Sequence, residues 1–397
     1  MTIYAATIEE NSQGILDYST FYGKQIIWIG LSFVLIVILM AIDSKFYERF
    51  AGVFYVISML SLLGLFVFGN EVNGATSWYN FGGFSLQPSE FAKTATILAL
   101  ASFLNGANRD LTHFKTQWNT VIIMSIPAFL ILLQPDAGSA VIYATLIFVL
   151  YREGLPAYYL LIGLAVILLF LATLYFGFTT AIIMVFSLIS LFFFLLVNFK
   201  KIQLKREWPK IIGMYLVIGL LLFSVDYVFN FVLEQHHRDR FNIVLGKTTD
   251  NRGIGYNTNQ SMITIGSGSW TGKGYLEGDR TQGDFVPEQE TDYIFSAIGE
   301  EWGFLGSSFV ILLFIAFIIR IIQLAERQKS KFSRIFGYSV ATMFFFHFMV
   351  NIGMVIGLLP TVGIPLPFFS YGGSSLWGFT MLLFIFIRLD ADRTYEW

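Results

Sequence analysis

Apolar residues in this chain gather into long runs parted by short polar stretches. The runs cover residues 26–42, 51–68, 86–104, 121–133, 139–151, 155–176, 179–199, 211–231, 302–322, 335–359 and 375–387. A helix needs about 20 mainly apolar residues to cross a bilayer. The pattern therefore predicts an all-α, polytopic membrane protein of about eleven transmembrane helices. Residues 1–21, with Glu9, Glu10 and Asp17, span nothing. One long polar stretch, residues 232–301, breaks the series and reads as a large extracytoplasmic loop within a single membrane domain over residues 1–397. It is too polar to bury a core of its own and is expected to fold back over the helix ends.

Composition agrees with this reading. The chain is 55% hydrophobic and 13% charged, with mean hydropathy +0.66, far from soluble averages. Its net charge of -2 says little about partners, and nucleic acid is not expected among them. The absence of cysteine removes disulfides, thiolate metal sites and thiol nucleophiles together. The N-terminus shows no cleavable signal pattern.

Lysine and arginine in short loops mark the cytoplasmic side. If the spans alternate, Lys45 and Arg49, Arg109 and Lys115, Arg152, the cluster Lys200, Lys201, Lys205, Arg206 and Lys210, then Arg327, Lys329, Lys331 and Arg334, and finally Arg388 and Arg393 all fall on one side. The turns at 69–83, 134–138 and 360–367 carry neither residue. This places the large loop and the N-terminus outside and the C-terminus in the cytoplasm.

Carboxylates concentrate between Phe285 and Phe295. Pro287 lacks an amide hydrogen and pushes Val286 toward extended backbone, so regular structure is expected to restart near Thr291, whose hydroxyl can cap a helix. Asp292 then falls in the first helical turn, favoured by the helix N-terminus yet close enough to hydrocarbon to be partly desolvated, which suits a base. Asp284, Glu288 and Glu290, taken singly, read as a solvated charge run. Glu90 and Lys93 share a helix face. They form either a structural ion pair or, with Lys93 facing a cavity, a contact to Asp292 or to an anionic substrate.

Residues 134–136, Gln-Pro-Asp, read as a turn with a helix-capping aspartate. Residues 257–275 hold Gln260, Ser261, Trp270 and Lys273 around a glycine-rich run but lack nucleotide-loop spacing. They read as a flexible polar turn, with Lys273 and Trp270 open to an amphipathic ligand. His236 and His237 have no metal-ligand partners at helical spacing and read as interfacial. Residues 359–374, with Ser370 and Tyr371, form a proline- and glycine-rich re-entry tolerable at membrane depth only where protein or a cavity shields it.

In order along nearly the whole chain, these segments resemble the SEDS family, the RodA and FtsW proteins of bacterial cell-wall assembly. The matching pieces are Gly74-Ala75 with Trp78, Gln87 through Lys93, Gln134 through Gly138, Gln260-Ser261 with residues 265–268, Pro287-Glu288 with residues 291–295 and 299–301, and Asn351 through Gly373. The resemblance, closer to RodA because no long cytoplasmic tail follows, implies a peptidoglycan glycosyltransferase. It implies polymerisation of lipid II at the outer face of the cytoplasmic membrane during cell elongation, a class B penicillin-binding protein as partner, and a match of Asp292 to the family's essential aspartate. Ser77 precedes Trp78 where many relatives carry arginine. Relatives have ten spans and begin in the cytoplasm, so residues 1–6 read as the tail of a missing first helix. The spans at 155–199 read as an inserted pair.

On this reading Asp292 takes the proton of the acceptor sugar's 4-hydroxyl as it attacks the anomeric carbon of a lipid-linked donor, with inversion and departure of undecaprenyl pyrophosphate. Lys93, Arg238, Arg240, Lys273 and Arg280 are the candidates to neutralise the leaving group, together with a divalent cation such as Mg2+ or Mn2+. Gln260, Ser261, Glu288, Ser370 and Tyr371 are candidate substrate contacts. The rivals are a lipid II flippase, since intramembrane charges also line transport paths, and a non-catalytic scaffold with a docking surface after Trp302.

Overall fold

The computed structural model describes residues 2–7, 20–72, 74–82, 84–107, 109–200, 204–232, 235–247 and 255–393. Glu9, Glu10, Asp17 and Lys201 lie outside the described residues, as do the side chains of Lys200, Lys205, Arg206, His236 and His237. The chain divides into two compact units, Met1–Leu155 with Tyr256–Trp397, and Pro156–Gly255. The polar stretch 232–301 is therefore shared between them.

In the first unit a short helix α1 (Thr2–Thr7) precedes α2 (Phe21–Ala41) and α3 (Ser44–Phe68). Thr20 caps α2 by accepting the Gly23 N–H at 3.2 Å, and Asp43 caps α3 by accepting that of Lys45 at 3.3 Å. Residues 69–83, a short polar hairpin between spans, open a small antiparallel sheet of β1 (Asn70–Val72), β2 (Ala75–Asn80) and β3 (Ser85–Leu86), in that order. The sheet pairs backbone groups that a bare turn at a helix end would leave open.

There follow α4 (Pro88–Asn105), α5 (Phe114–Leu132), α6 (Ala137–Ala144) and α7 (Ile147–Arg152). Pro88 opens α4 where its missing N–H costs nothing. Asp136 caps α6, accepting from Ser139 N–H at 3.0 Å. The polar stretch supplies α12 (Tyr256–Ser267) and α13 (Asp279–Gln282), and the unit ends with α14 (Ile294–Glu326), α15 (Lys331–Val355) and α16 (Gly373–Asp392).

The second unit contains α8 (Tyr158–Phe176), α9 (Phe178–Lys200), α10 (Leu204–Tyr227), which runs into a π-helical turn at Val228–Val232, and α11 (Gln235–Val244). The helices α8, α9 and α10 pack on one another and leave most of their apolar surface outward.

Each of the eleven apolar runs coincides with a helix or, for 139–151, with the pair α6 and α7. Among the described residues eight helices are long and apolar enough to span a membrane: α2, α3, α8, α9, α10, α14, α15 and α16. Helix α4 falls outside that group because it carries Glu90, Lys93 and four threonines or serines, and it is the most enclosed: Ala92, Ile97, Leu98, Leu100 and Ala101 are buried against α3, α15 and α16. Its small residues allow the close backbone approach typical of helices packing in lipid. Outward-facing Phe33, Val34, Val37 and Ile38 of α2, and Val56, Ile57 and Leu60 of α3, form an apolar surface that only lipid or another protein can cover.

Helix α14 begins ahead of the apolar run at 302 and close to the restart expected near Thr291, and it is two segments joined at a break. Gly303 has φ 62° and ψ -161°, outside helical space. The glycine-rich run expected to be a flexible turn closes on that break. The N–H groups of Lys273 and Gly274 donate to the carbonyls of Glu300 (3.0 Å) and Glu301 (3.1 Å), and those of Phe304 and Leu305 donate to Ser269 (2.9 Å) and Trp270 (3.1 Å). A Cβ on Gly268 would overlap the Gly299 carbonyl, one on Gly272 the Glu301 carbonyl, and one on Gly303 the Gly272 nitrogen. Glycine is thus required by close approach as well as by positive φ.

Replacing Gly303 by alanine is expected to cost about 2 kcal/mol or more of stability, from strain and overlap together. Gly266→Ala, in helix α12 with nothing within 4 Å of the new methyl, should instead gain about 0.5 kcal/mol. Thermal unfolding of the two purified variants in one detergent checks the opposite signs.

Candidate active site

Asp292 lies just ahead of α14 rather than in its first turn, and Thr291 does not cap the helix. Glu288, at φ 57°, starts a tight turn whose carbonyl accepts the N–H groups of Thr291 (3.2 Å), Asp292 (3.1 Å) and Tyr293 (3.2 Å). The Thr291 hydroxyl turns back to the same carbonyl at 3.3 Å. Val286, Gln289 and Tyr293 point inward and are fully buried, while Glu288 is exposed and Asp292 half-buried.

Three other segments hold this turn. Asn351 of α15 donates from one amide nitrogen to the carbonyls of Asp292 and Ile364, both at 2.8 Å, so a single buried side chain ties the turn to the re-entrant segment before α16. In that segment Gly363, at φ 72°, comes so close that a Cβ would lie 3.3 Å from Asp292 Oδ2. The Tyr371 N–H donates to the Glu290 carbonyl at 2.8 Å. From α12, Thr258 meets the Tyr293 hydroxyl at 3.1 Å, and Thr361 meets it at 3.0 Å. Ser261 donates to the Val355 carbonyl at 2.9 Å.

Beneath the turn is a buried carboxylate, Glu300. It accepts from Lys273 Nζ (2.7 Å), Ser267 Oγ (3.1 Å), the N–H groups of Arg280 (3.1 Å) and Thr281 (2.7 Å), and the Thr281 hydroxyl (2.7 Å). Gln289 reaches Thr281 Oγ1 at 3.3 Å, which links this cluster to the Asp292 turn. Lys273 also pairs with Asp279 at 3.1 Å, and the two carboxylates, Glu300 foremost, raise its pKa above the ordinary lysine value. Arg280 is hydrogen-bonded to Gln260 and to Thr264 (3.1 Å) and lies 4.8 Å from the Phe285 ring.

Other candidates separate from this group. Glu90 and Lys93 form a 2.8 Å ion pair. Lys93 is 1% exposed and also meets His347 Nε2 at 3.0 Å, so it is closed into these contacts rather than open to a cavity. His347 Nδ1 lies 2.8 Å from the Met343 carbonyl and must donate to it, which leaves Nε2 as the lone-pair acceptor for the ammonium. His347 escaped the sequence reading, although an ionisable residue in an apolar run, four before Asn351, was the available signal. Ser370 closes its own turn by accepting the Leu366 N–H at 2.8 Å. Burial, then the nearby Glu290 charge, raises the Tyr371 pKa. Arg238 and Arg240 lie on α11 in the second unit, where Arg238 donates to the Asn230 carbonyl at 2.9 Å. Among the described residues no three His, Asp or Glu side chains converge to hold a metal ion.

Lys93→Met would strand Glu90 without its partner at a cost of about 3–5 kcal/mol, and adding Glu90→Gln should recover much of the loss. A double-mutant cycle on thermal unfolding measures both. Glu290 gives a pH signature. Burial, and then the charges of Asp284 and Glu288, hold its pKa above the ordinary carboxylate value against one backbone hydrogen bond. The folded chain therefore binds this proton more tightly than the unfolded chain, and stability is lost as pH rises from the unfolded carboxylate pKa through the raised folded one. Glu290→Gln should raise the unfolding temperature at pH 7.5, with the gain vanishing near pH 4.

Comparison with known proteins fits this geometry. The family model FTSW_RODA_SPOVE, described as "Cell cycle protein", matches residues 1–193 and 160–395, two stretches that overlap across α8 and most of α9. The peptidoglycan glycosyltransferase RodA of Treponema pallidum is 34% identical over 98% of this chain and 94% of its own length. The peptidoglycan glycosyltransferase MrdB of Escherichia coli K12 is 32% identical over 88% and 80%. A chain from a solved peptidoglycan synthase complex, described as coordinating polymerization and crosslinking, superposes with TM-score 0.67 at 26% identity, covering 95% of this chain and 90% of that one. The rod shape determining protein RodA of Thermus thermophilus shares the fold at TM-score 0.62 and 24% identity, over 99% and 91%. With the family model spanning nearly its whole length, the chain belongs to the FtsW, RodA and SpoVE family.

Proposed function

We propose that this protein is a peptidoglycan glycosyltransferase that polymerises lipid II into glycan strands, with Asp292 as the general base. The observation that carries the assignment is the setting of Asp292: a half-buried carboxylate on a turn fixed from three sides at one end of a membrane bundle. A base has to be held within hydrogen-bond reach of the proton it removes, and a turn seated on buried Val286, Gln289 and Tyr293 provides that constancy.

In the proposed reaction the Asp292 carboxylate takes the proton from the acceptor sugar's 4-hydroxyl. The oxygen attacks the donor's anomeric carbon with inversion, and the bond to undecaprenyl pyrophosphate breaks with its electron pair on the leaving oxygen. A pyrophosphate leaves as a stable anion, so neutralising its charge matters more than protonating it. Among the described residues no three His, Asp or Glu side chains converge on a metal site; a Mg2+ or Mn2+ ion held mainly by the substrate's pyrophosphate would add charge neutralisation there.

The orientation with this end outside is supported by where the basic residues meet. At the other end of the first unit Arg152 pairs with Glu326 (3.0 Å), Arg334 with Glu153 (2.9 Å), and Arg388 donates to the Ile42 carbonyl (2.8 Å). The closed Glu90–Lys93 pair weakens the flippase reading, which drew on those charges lining a path. A class B penicillin-binding protein is the proposed partner, and the outward apolar face of α14, with Phe309, Leu312 and Leu313, is a surface that could receive a membrane helix.

Asp292→Asn is expected to cut polymerisation of purified lipid II by at least 100-fold while leaving the unfolding temperature within about 2 °C. Polymerisation at the unsubstituted rate by this variant in reconstituted vesicles would remove Asp292 from the reaction.

A further inference from the structure

One charge in the reaction has no answer among the groups described so far. The transfer expels a pyrophosphate, yet the cations that the sequence nominates in the first unit are already engaged. Lys93 is held by Glu90 and His347, Lys273 by Glu300 and Asp279, and Arg280 by Gln260 and Thr264.

Lys24 differs from all of these. It stands half-buried in the first turn of α2, and its ammonium makes no hydrogen bond or ion pair with any described residue. The start of α2 lies at the Asp292 end of the bundle. The Phe21 ring is 5.0 Å from that of Tyr371, and Gln25 accepts the Gly372 N–H at 3.2 Å. The Tyr371 N–H in turn binds Glu290, two residues before Asp292. Counting charges in the loops between spans passes over Lys24, because it sits inside the helix end rather than in a loop.

A cation in this position is disfavoured twice, by the partial positive charge of the helix N-terminus and by loss of water. An anion would offset both. Four residues further, on the same helix face, Trp28 packs edge-on to Phe84 (5.4 Å) and Trp377 (5.2 Å), and Phe84 is 49% exposed. Lys24 at the outer end of α2 is thus followed one turn further along the same face by an aromatic cluster of Trp28, Phe84 and Trp377. That pairing matches a molecule with a phosphoryl head and an apolar chain.

We propose that Lys24 binds the pyrophosphate of the polyprenyl-linked substrate, with the first isoprene units lying on Trp28 and Phe84. The identity of the lipid rests on the glycosyltransferase reading; the phosphoryl-and-chain chemistry rests on the geometry alone. A phosphate of the surrounding bilayer is the competing source of the same chemistry.

The test uses the full chain in phosphatidylcholine nanodiscs, with binding of undecaprenyl pyrophosphate and of uncharged undecaprenol measured separately. Lys24→Gln should weaken the pyrophosphate lipid about tenfold and leave undecaprenol unchanged, and Lys24→Arg should restore binding to within twofold. Equal affinity of Lys24→Gln and the unsubstituted chain for the pyrophosphate lipid overturns the proposal. So does parallel weakening of both ligands, which would reveal lost packing rather than lost charge. Displacement of the pyrophosphate lipid by equimolar phosphatidylglycerol would assign Lys24 to the bilayer instead. Lipid II polymerisation in the same nanodiscs keeps the two claims apart: binding as expected without polymerisation defeats the enzyme reading and leaves Lys24 in place.

Discussion

Backbone polar groups near hydrocarbon have to find partners inside the protein, and in this fold that demand shapes the break in α14. At Gly303 the helix ladder is interrupted, which frees the carbonyls of Glu300 and Glu301 and the N–H groups of Phe304 and Leu305. The segment from Ser269 to Gly274 supplies the missing partners from the polar stretch. Docking there also brings Lys273 onto the Glu300 carboxylate, whose remaining lone pairs collect the first amides of α13. A buried carboxylate with five donors tolerates enclosure well, whereas one with none would not.

From this cluster the constraint passes to Asp292 in two steps. Thr281, held by Glu300, meets Gln289, and Gln289 lies inside the turn that ends in Asp292. The second hold comes from the opposite direction, where Asn351 binds the Asp292 carbonyl and the re-entrant segment together. Backbone that is irregular at this depth is thus fixed by side chains from α15 and from the polar stretch, while the carboxylate itself stays half-buried. Stiff support under a partly accessible acid is what a site built for one proton transfer needs.

Much of the scaffold could be read from the sequence, because span length and apolarity are local properties. All eleven apolar runs became helices, Asp136 caps α6, and Glu90 does pair with Lys93, each decided within a few residues of chain. What escaped depends on contacts distant in sequence. Gly303 looks like any glycine in a membrane helix until residues 268–274 are placed against it. The same contact turns a flexible-looking run into a clasp. His347 is a histidine in an apolar run until α4 brings Lys93 to its ring. Boundary position singles out Asp292 in the sequence, yet the residue sits ahead of the helix rather than in its first turn, since Glu288 adopts a positive φ that no residue pattern announces.

The central claim is that Asp292 acts as an ionised base at the reacting centre, and the pH dependence of kcat/KM for lipid II polymerisation tests it most directly. The account predicts that the unsubstituted enzyme loses activity toward acid through a single ionisation, and that the residual activity of Asp292→Asn lacks this limb. An identical acid limb and rate in Asp292→Asn would contradict it.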